Sequence, residues 1–408
     1  IANTGGTLQT ATAAGDASNL RLGSNAGNSI AAVGGTAAGT YNVLLGNEAG
    51  TSLTTGYRNV FVGAFAGDAV DTGHNNVAIG LNALTLENAG FNNIAIGSAA
   101  LNVQNGGQDN IAIGFNALTS NLTGDSNVAV GHSAGTFATT AANSTFVGRF
   151  AGQGITGTKL TGNDNTAVGT NSGLLLQGAA TQNTFVGKGS GQAVTVGVKN
   201  TLLGSRSGDA LINADSNVAI GESALSSDTY GDGSVAIGDS ALYAQNFTSA
   251  ATSFNTAVGY ASGNSTTTGQ SNVFVGYASG QFNSTGFANT FVGSAAGTGV
   301  TGAKLTGSAN TAIGQGAGND LQGGAGDNVF LGANAGGQVT TGSYNILIGH
   351  DAGTHDSPIT TGANNIIIGS FADHPSGAGS EDAIIMGYNV TGVGADNFTF
   401  GRGTTDSN

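Results

Sequence analysis

The sequence predicts an all-β protein, a parallel β-solenoid of about twenty coils wound on a repeat of roughly 17 residues. A five-residue block, Asn then three apolar residues then Gly, recurs along the chain, as in Asn59-Val60-Phe61-Val62-Gly63 and Asn76-Val77-Ala78-Ile79-Gly80. Glycine supplies 73 of the 408 residues, yet only two prolines and no Gly-X-Y period occur, which excludes collagen. Charged residues make up only 8%, a composition that suits stacked strands better than solvated helices.

The last glycine of the block sets the period. It falls at Gly46, Gly63, Gly80, Gly97, Gly114, Gly131 and Gly148 in steps of 17, then continues with insertions of one to four residues through Gly169, Gly187, Gly204, Gly221, Gly238 and Gly259 toward Gly401. A near-fixed period is the mark of coils stacked one on the next. The reading is one continuous solenoid over 1–408, with regular repeats over 19–353 and irregular coils and a cap over 354–408. A larger duplication is also present: Thr156-Gly157-Thr158-Lys159-Leu160-Thr161-Gly162 returns 145 positions later as Thr301-Gly302-Ala303-Lys304-Leu305-Thr306-Gly307.

Side chains alternate along a strand, so the first and third apolar residues of a block share one face and the middle residue takes the other. The larger flanking columns, such as Val60 with Val62 and Val77 with Ile79, are expected to fill the coil interior. The middle column then points outward: Phe61, Ala78, Ala95, Ala112, Phe146, Phe185, Leu202, Phe274, Phe291, Phe330 and Leu347. A ribbon of Ala, Phe and Leu needs cover. The expected cover is other copies of the same chain, arranged as a homotrimer around that face.

The leading Asn is expected to form a ladder from coil to coil through Asn59, Asn76, Asn93, Asn110, Asn127, Asn217, Asn272, Asn289, Asn328 and Asn345. A second glycine ten residues after the first, as at Gly56, Gly73 and Gly107, is expected to supply a positive φ at the second corner.

These columns resemble known repeats. Blocks such as Asn76-Val77-Ala78-Ile79-Gly80 and Asn217-Val218-Ala219-Ile220-Gly221 resemble the head repeats of trimeric autotransporter adhesins. The rhythm with Thr54-Thr55-Gly56 and Thr340-Thr341-Gly342 before the next Asn is similar to repeats of phage tail fibres and related surface proteins that end in an endosialidase-type intramolecular chaperone. The resemblance runs from about Asn19 to Gly401 and implies a left-handed parallel β-roll, trimeric around its inner strands, that serves attachment to surfaces, matrix or host receptors. The expected function is therefore an extracellular or cell-surface adhesive fibre, with a virion tail fibre as the alternative. An ice- or glycan-binding solenoid is a third reading, set back because its Thr column falls on the expected inward face.

Other classes find little support. The net charge is −14 and basic residues are scattered, against nucleic-acid binding. No apolar run approaches the roughly 20 residues that span a bilayer. The opening Ile1-Ala2-Asn3-Thr4 resembles no secretory signal, so the chain reads as a processed or excerpted part of something longer. No cysteine is present, and no cofactor is implied. Acidic residues such as Asp68, Glu87, Asp125, Asp215 and Glu222 do not gather in one column, so no catalytic residue is assigned. His350, His355 and His374 lack a metal-ligand spacing and read as exposed loop residues, so no metal is assigned. The loops His355-Asp356-Ser357-Pro358 and Asp373-His374-Pro375-Ser376 read as an end cap. The candidate contact points are Lys159, Lys304, His355 and His374.

Overall fold

The structure, a computed structural model, describes residues 8–10, 18–30, 39–86, 88–356, 358–375, 379, 381–394 and 396–403. Glu87, Ser357 and Ser376 lie outside the described residues. The chain divides into two compact units, 1–200 and 201–408. Each is a parallel β-solenoid of short rungs on a repeat near 17 residues, and no helix occurs among the described residues.

In the first unit the rungs run from Leu20–Leu22 to Thr184–Val186, and each pairs in parallel with the next. Val60–Val62, for example, sits between Val43–Leu45 and Val77–Ile79, with Phe61 in register with Leu44 on one side and Ala78 on the other. Leu8–Thr10 closes the N-terminal side by pairing antiparallel with Leu20–Leu22. In the second unit the rungs run from Thr201–Leu203 to Phe398–Arg402, and the last two lengthen to five residues. A small side sheet, Gly231–Asp232 with Ala251–Thr252, marks an insertion.

Which face of a rung is inside differs from the expectation. The middle residues, Phe61, Ala78, Ala95, Ala112, Phe146, Phe185, Leu202, Phe274, Phe291, Phe330 and Leu347, are fully buried in the interior of their own coils. They are therefore not an interface between chains. The flanking residues, expected inside, stand half-exposed on the outer face.

The reason is room. A coil of about 17 residues encloses a space one side chain wide. It is already occupied by the leading Asn, by Ala66 and its equivalents, and by Leu53, Val70, Leu176 or Val194 at the far corner, all fully buried. One residue per rung fits, not two. The residue six positions after the centre completes the fill. After each of the six buried Phe centres comes a glycine, Gly67 after Phe61, Gly152 after Phe146 and Gly336 after Phe330, where a Cβ would lie 2.6, 2.1 and 2.7 Å from the ring. After Ala78, Ala95, Ala112, Ala219 and Ala236 comes a leucine instead: Leu84, Leu101, Leu118, Leu225 and Leu242, all fully buried. These leucines adopt φ of 47 to 54°, a left-handed conformation costly for a branched side chain. In these five coils the void opposite the alanine is filled at the expense of backbone strain, whereas Ala129, Ala167, Ala257 and Ala312 are followed by Gly135, Gly173, Gly263 and Gly318, where a Cβ would meet the Phe ring of the next coil at 2.6 to 3.0 Å.

This pairing sets a first prediction. Phe61→Ala should cost about 3–5 kcal/mol as a cavity mutation, and Gly67→Leu alone should also destabilise by overpacking. Together they recreate the Ala78 and Leu84 arrangement, so the double variant should recover most of the loss. A denaturant titration of the four proteins reads the coupling, and additive losses would contradict the packing scheme.

Candidate functional site

With the middle column inside, the outer face of each rung carries the flanking residues. On the first unit they form two parallel columns over ten rungs, from Leu20 and Leu22 to Thr184 and Val186. On the second they run over twelve rungs, from Thr201 and Leu203 to Phe398 and Phe400. Every residue in these columns is Val, Ile, Leu, Thr, Met or Phe, and none is charged. Exposure is substantial: Ile79 38%, Leu203 45%, Leu331 45% and Phe400 56%. Two side chains per rung over ten and twelve rungs, most of them aliphatic and half-exposed, make an apolar face on the order of 1,000 Å2 in each unit, beyond what a soluble monomer usually leaves open. Sequence reasoning found a long apolar ribbon but placed it on the wrong residues.

The Asn column locks one coil to the next inside each unit. Asn59 Oδ1 accepts the backbone N–H of Asn76 at 2.9 Å, and Asn76 Oδ1 accepts that of Asn93 at 2.9 Å. The same contact joins Asn93 to Asn110 and Asn110 to Asn127, each at 3.0 Å. In the second unit it joins Asn272 to Asn289 at 2.9 Å and Asn328 to Asn345 at 3.0 Å. Asn217 Oδ1 accepts from the N–H of Ser234 at 2.9 Å, where serine replaces Asn. Each amide also donates across the coil: Asn59 Nδ2 to the carbonyl of Gly73 at 2.9 Å and Asn93 Nδ2 to that of Gly107 at 2.9 Å.

The second glycine therefore has another role than the one expected. Its φ is not positive; a Cβ on Gly56 would lie 2.3 Å from the Gly73 carbonyl oxygen, so the glycine is needed for close approach. The positive φ falls two residues later, on Arg58, Asn75 and Asn92, at 55 to 57°, and likewise on Asp109, Lys199 and Tyr344, at 58 to 60°.

The expected contact loops divide. Lys159 and Lys304 are exposed, each beside a fully buried leucine, Leu160 and Leu305, that bridges in parallel to neighbouring coils and pins its insertion. His355 is exposed, with Nδ1 3.1 Å from the Asp356 carboxylate. His374 is not a surface contact: it is 1% exposed, as is Asp373. The reason is that Asp373 caps the loop from within, its carboxylate accepting the backbone N–H groups of His355 and Asp356. Burial lowers the pKa of His374, favouring the neutral ring. Asp228, fully buried, is satisfied by the N–H groups of Gly231 and Phe247 at 3.1 and 3.0 Å and by Gln245 Nε2 at 2.6 Å, a structural network around the insertion. Among the described residues no group of three or more His, Cys, Asp or Glu is placed to hold a metal ion. No helix there is long and apolar enough to cross a membrane.

One concavity has chemistry that sequence reasoning missed. In the second unit a cavity of about 500 Å3 lies over Gly316 and Gly337, walled by amides and carboxylates including Asn319, Asp320, Asn334 and Asp351. Its walls come from four successive coils, through Ala295, Gln315, Asn334 and Asp351. A scan with protein-family models and a search of curated proteins found no match to this sequence.

Asp68 offers a pH test of the coil wall. Its Oδ1 is buried with no hydrogen-bond partner among the described residues, and burial pushes the carboxyl above its usual value of 3.8 despite the N–H groups of Ala69 and Asp68. The folded state thus holds the proton more tightly than the unfolded chain, so stability is lost as pH rises through the raised pKa. Asp68→Asn should be more thermostable than the parent at neutral pH, with the advantage vanishing below pH 3.8. Melting curves across that range check it, and a lower melting temperature for the variant at neutral pH would refute it.

Proposed function

We propose that this chain is a structural and adhesive fibre component that works as a self-assembly, with its ribbon of Val, Ile, Leu and Thr covered by sister copies, most economically as a homotrimer. What supports the reading is the uninterrupted ribbon itself. A monomer in water gains nothing from an uncharged outer face repeated in every rung, and the polar alternative is available, since other outward positions carry Asn, Asp, Lys and Ser. The face on each unit is of the order needed for one side of a stable interface, about 800 Å2. Closed cyclic symmetry covers it on all copies at once and leaves no edge for further addition. The ribbon is two residues wide, about 7 Å, so three such strips can close around an axis with side chains meeting at the centre.

The resemblance to adhesin heads and tail fibres supports a cell surface or a virion as the setting and a surface receptor as the partner. A second reading has one observation in its favour. Thr145, Thr166 and Thr184 follow one another on the outer face in adjacent coils, and an exposed, regular Thr array suits an ice-binding surface.

Native mass measurement separates the two. The expected result is a trimer for the parent, and for Val62→Asp with Ile96→Asp a folded species that has lost the trimer. A folded monomeric parent would remove the self-assembly reading, and thermal hysteresis from that monomer would establish the ice-binding one. Labelling of intact cells against purified virions with an antibody to the chain decides between the two settings.

A further inference from the structure

We propose that the cavity over Gly316 and Gly337 binds an uncharged sugar, a hexose or N-acetylhexosamine unit of a surface glycan. This deepens the adhesive reading by naming the receptor chemistry, and it does not depend on how the ribbon is covered.

Two glycines in neighbouring coils keep the floor of the cavity low, and the Asn334 amide leans over the first of them, its Oδ1 2.5 Å from where a Cβ on Gly316 would sit. Gly316 stands where the next coil has Asn334, and Gly337 where the preceding coil has Asn319. The wall is made of planar polar groups held ready. Asn319 Nδ2 donates to Asp320 Oδ1 at 2.9 Å, and Asn334 Nδ2 donates to Asp351 Oδ1 at 3.0 Å. Asp351 Oδ2 also lies 3.1 Å from His350 Nδ1. Gln338 Nε2 donates to the Thr354 carbonyl at 3.3 Å. Carboxylates and amides supply acceptors and donors side by side, which is what a hydroxyl, both donor and acceptor, requires. A volume of about 500 Å3 accommodates one or two sugar rings.

The charge of the wall decides the class of sugar. Asp320 and Asp351 line the cavity with no Lys or Arg, and the one imidazole in the wall, His355, already faces the Asp356 carboxylate at 3.1 Å, so a sialylated, uronic or sulfated unit meets net repulsion. Neutral hydroxyls, by contrast, donate to carboxylates in charge-assisted bonds.

The internal duplication supplies a control within the same chain. Counting back 145 positions, Gly316 corresponds to Asn171, Gly337 to Gln192, and the pair Asn319 and Asp320 to Leu174 and Leu175. The first copy keeps the interior and the anchor glycines Gly169 and Gly187, puts Asn171 and Gln192 at the two glycine positions and leucines at the polar pair, and has Gly189 where the second copy has Asn334, so that a glycine and an asparagine have changed places between the two coils. The coil does not need the cavity in order to stack. Asn171 has φ 60° and Gly316 φ 64°, so an asparagine at 316 meets no backbone strain, although the exposed Asn334 amide, 2.5 Å from the new Cβ, must swing aside.

The test uses the whole protein. Calorimetric titration with glucose, galactose, N-acetylglucosamine, N-acetylgalactosamine and their β-linked disaccharides, beside sialyllactose and a sulfated disaccharide, should find binding to at least one neutral sugar and none to the anionic ones. Gly316→Asn should weaken that binding by at least about tenfold in a protein that still melts cooperatively, since only the exposed Asn334 amide has to give way, and Asp320→Asn should weaken it while keeping the cavity's shape. Binding should survive EDTA. The proposal is overturned if no neutral sugar binds, if the anionic sugars bind as well, if Gly316→Asn binds like the parent, or if EDTA abolishes binding. Native mass measured on the same samples reports the self-assembly independently, so failure of one reading is not mistaken for failure of the other.

Discussion

The width of the coil interior governs the rest of this molecule. A repeat of about 17 residues closes around a space that admits one side chain from each rung, and that place goes to the middle of the three apolar residues. The alternation of a strand then obliges the two flanking residues to face outward whatever their polarity. The apolar ribbon on the outside follows from a decision made on the inside. Had the flanks been Ser and Lys, the same coil would close equally well, so the ribbon's composition is a separate choice that burial within the chain does not explain.

Stacking imposes its own conditions. A Cβ on Gly63 would lie 2.5 Å from the Gly80 carbonyl oxygen, so the anchor glycines admit no side chain, and the Asn amide binds both the next Asn and a carbonyl across the coil. These bonds satisfy a fully buried amide that would otherwise be costly. They also fix register, because a coil slipped by one residue would set Asn against an apolar neighbour. The left-handed leucines show how strongly filling is favoured: where the next coil offers an alanine and no ring, Leu84 and Leu118 accept φ of 52 and 47° to fill the space.

Much of this was legible in the sequence, and the part that was not has a definite cause. Period, parallel stacking and the Asn column are written in spacing, and spacing survives without any knowledge of faces. Inside against outside is written in contrast between alternate positions, and three apolar residues in a row offer none, so a shift of parity goes unnoticed. The contrast that does exist lies six residues on. Phe61 with Gly67 against Ala78 with Leu84 conserves volume, and only residues that share an interior need to do so. Gly56 was misread for a related reason, since a glycine required by a neighbour's carbonyl and one required by its own φ look alike in one dimension. The burial of His374 and the cavity at Gly316 depend on neighbouring coils and could not be read along the chain.

The regular and irregular parts of the surface thus suit different tasks. A contact with identical copies must be repeated at every rung, since each added coil presents the same unmet apolar area. The columns through Val62, Ile79 and Ile96 meet that demand by never admitting a charge. Recognition of something unlike the chain needs the opposite, a place where one coil differs from the next. The pair of glycines at 316 and 337 is such a place, and the two positions carry Asn171 and Gln192 in the coils 145 residues earlier. Because the interior tolerates either version, the outer loops can change without disturbing the stack, and a coil can be copied first for length and altered afterwards for binding.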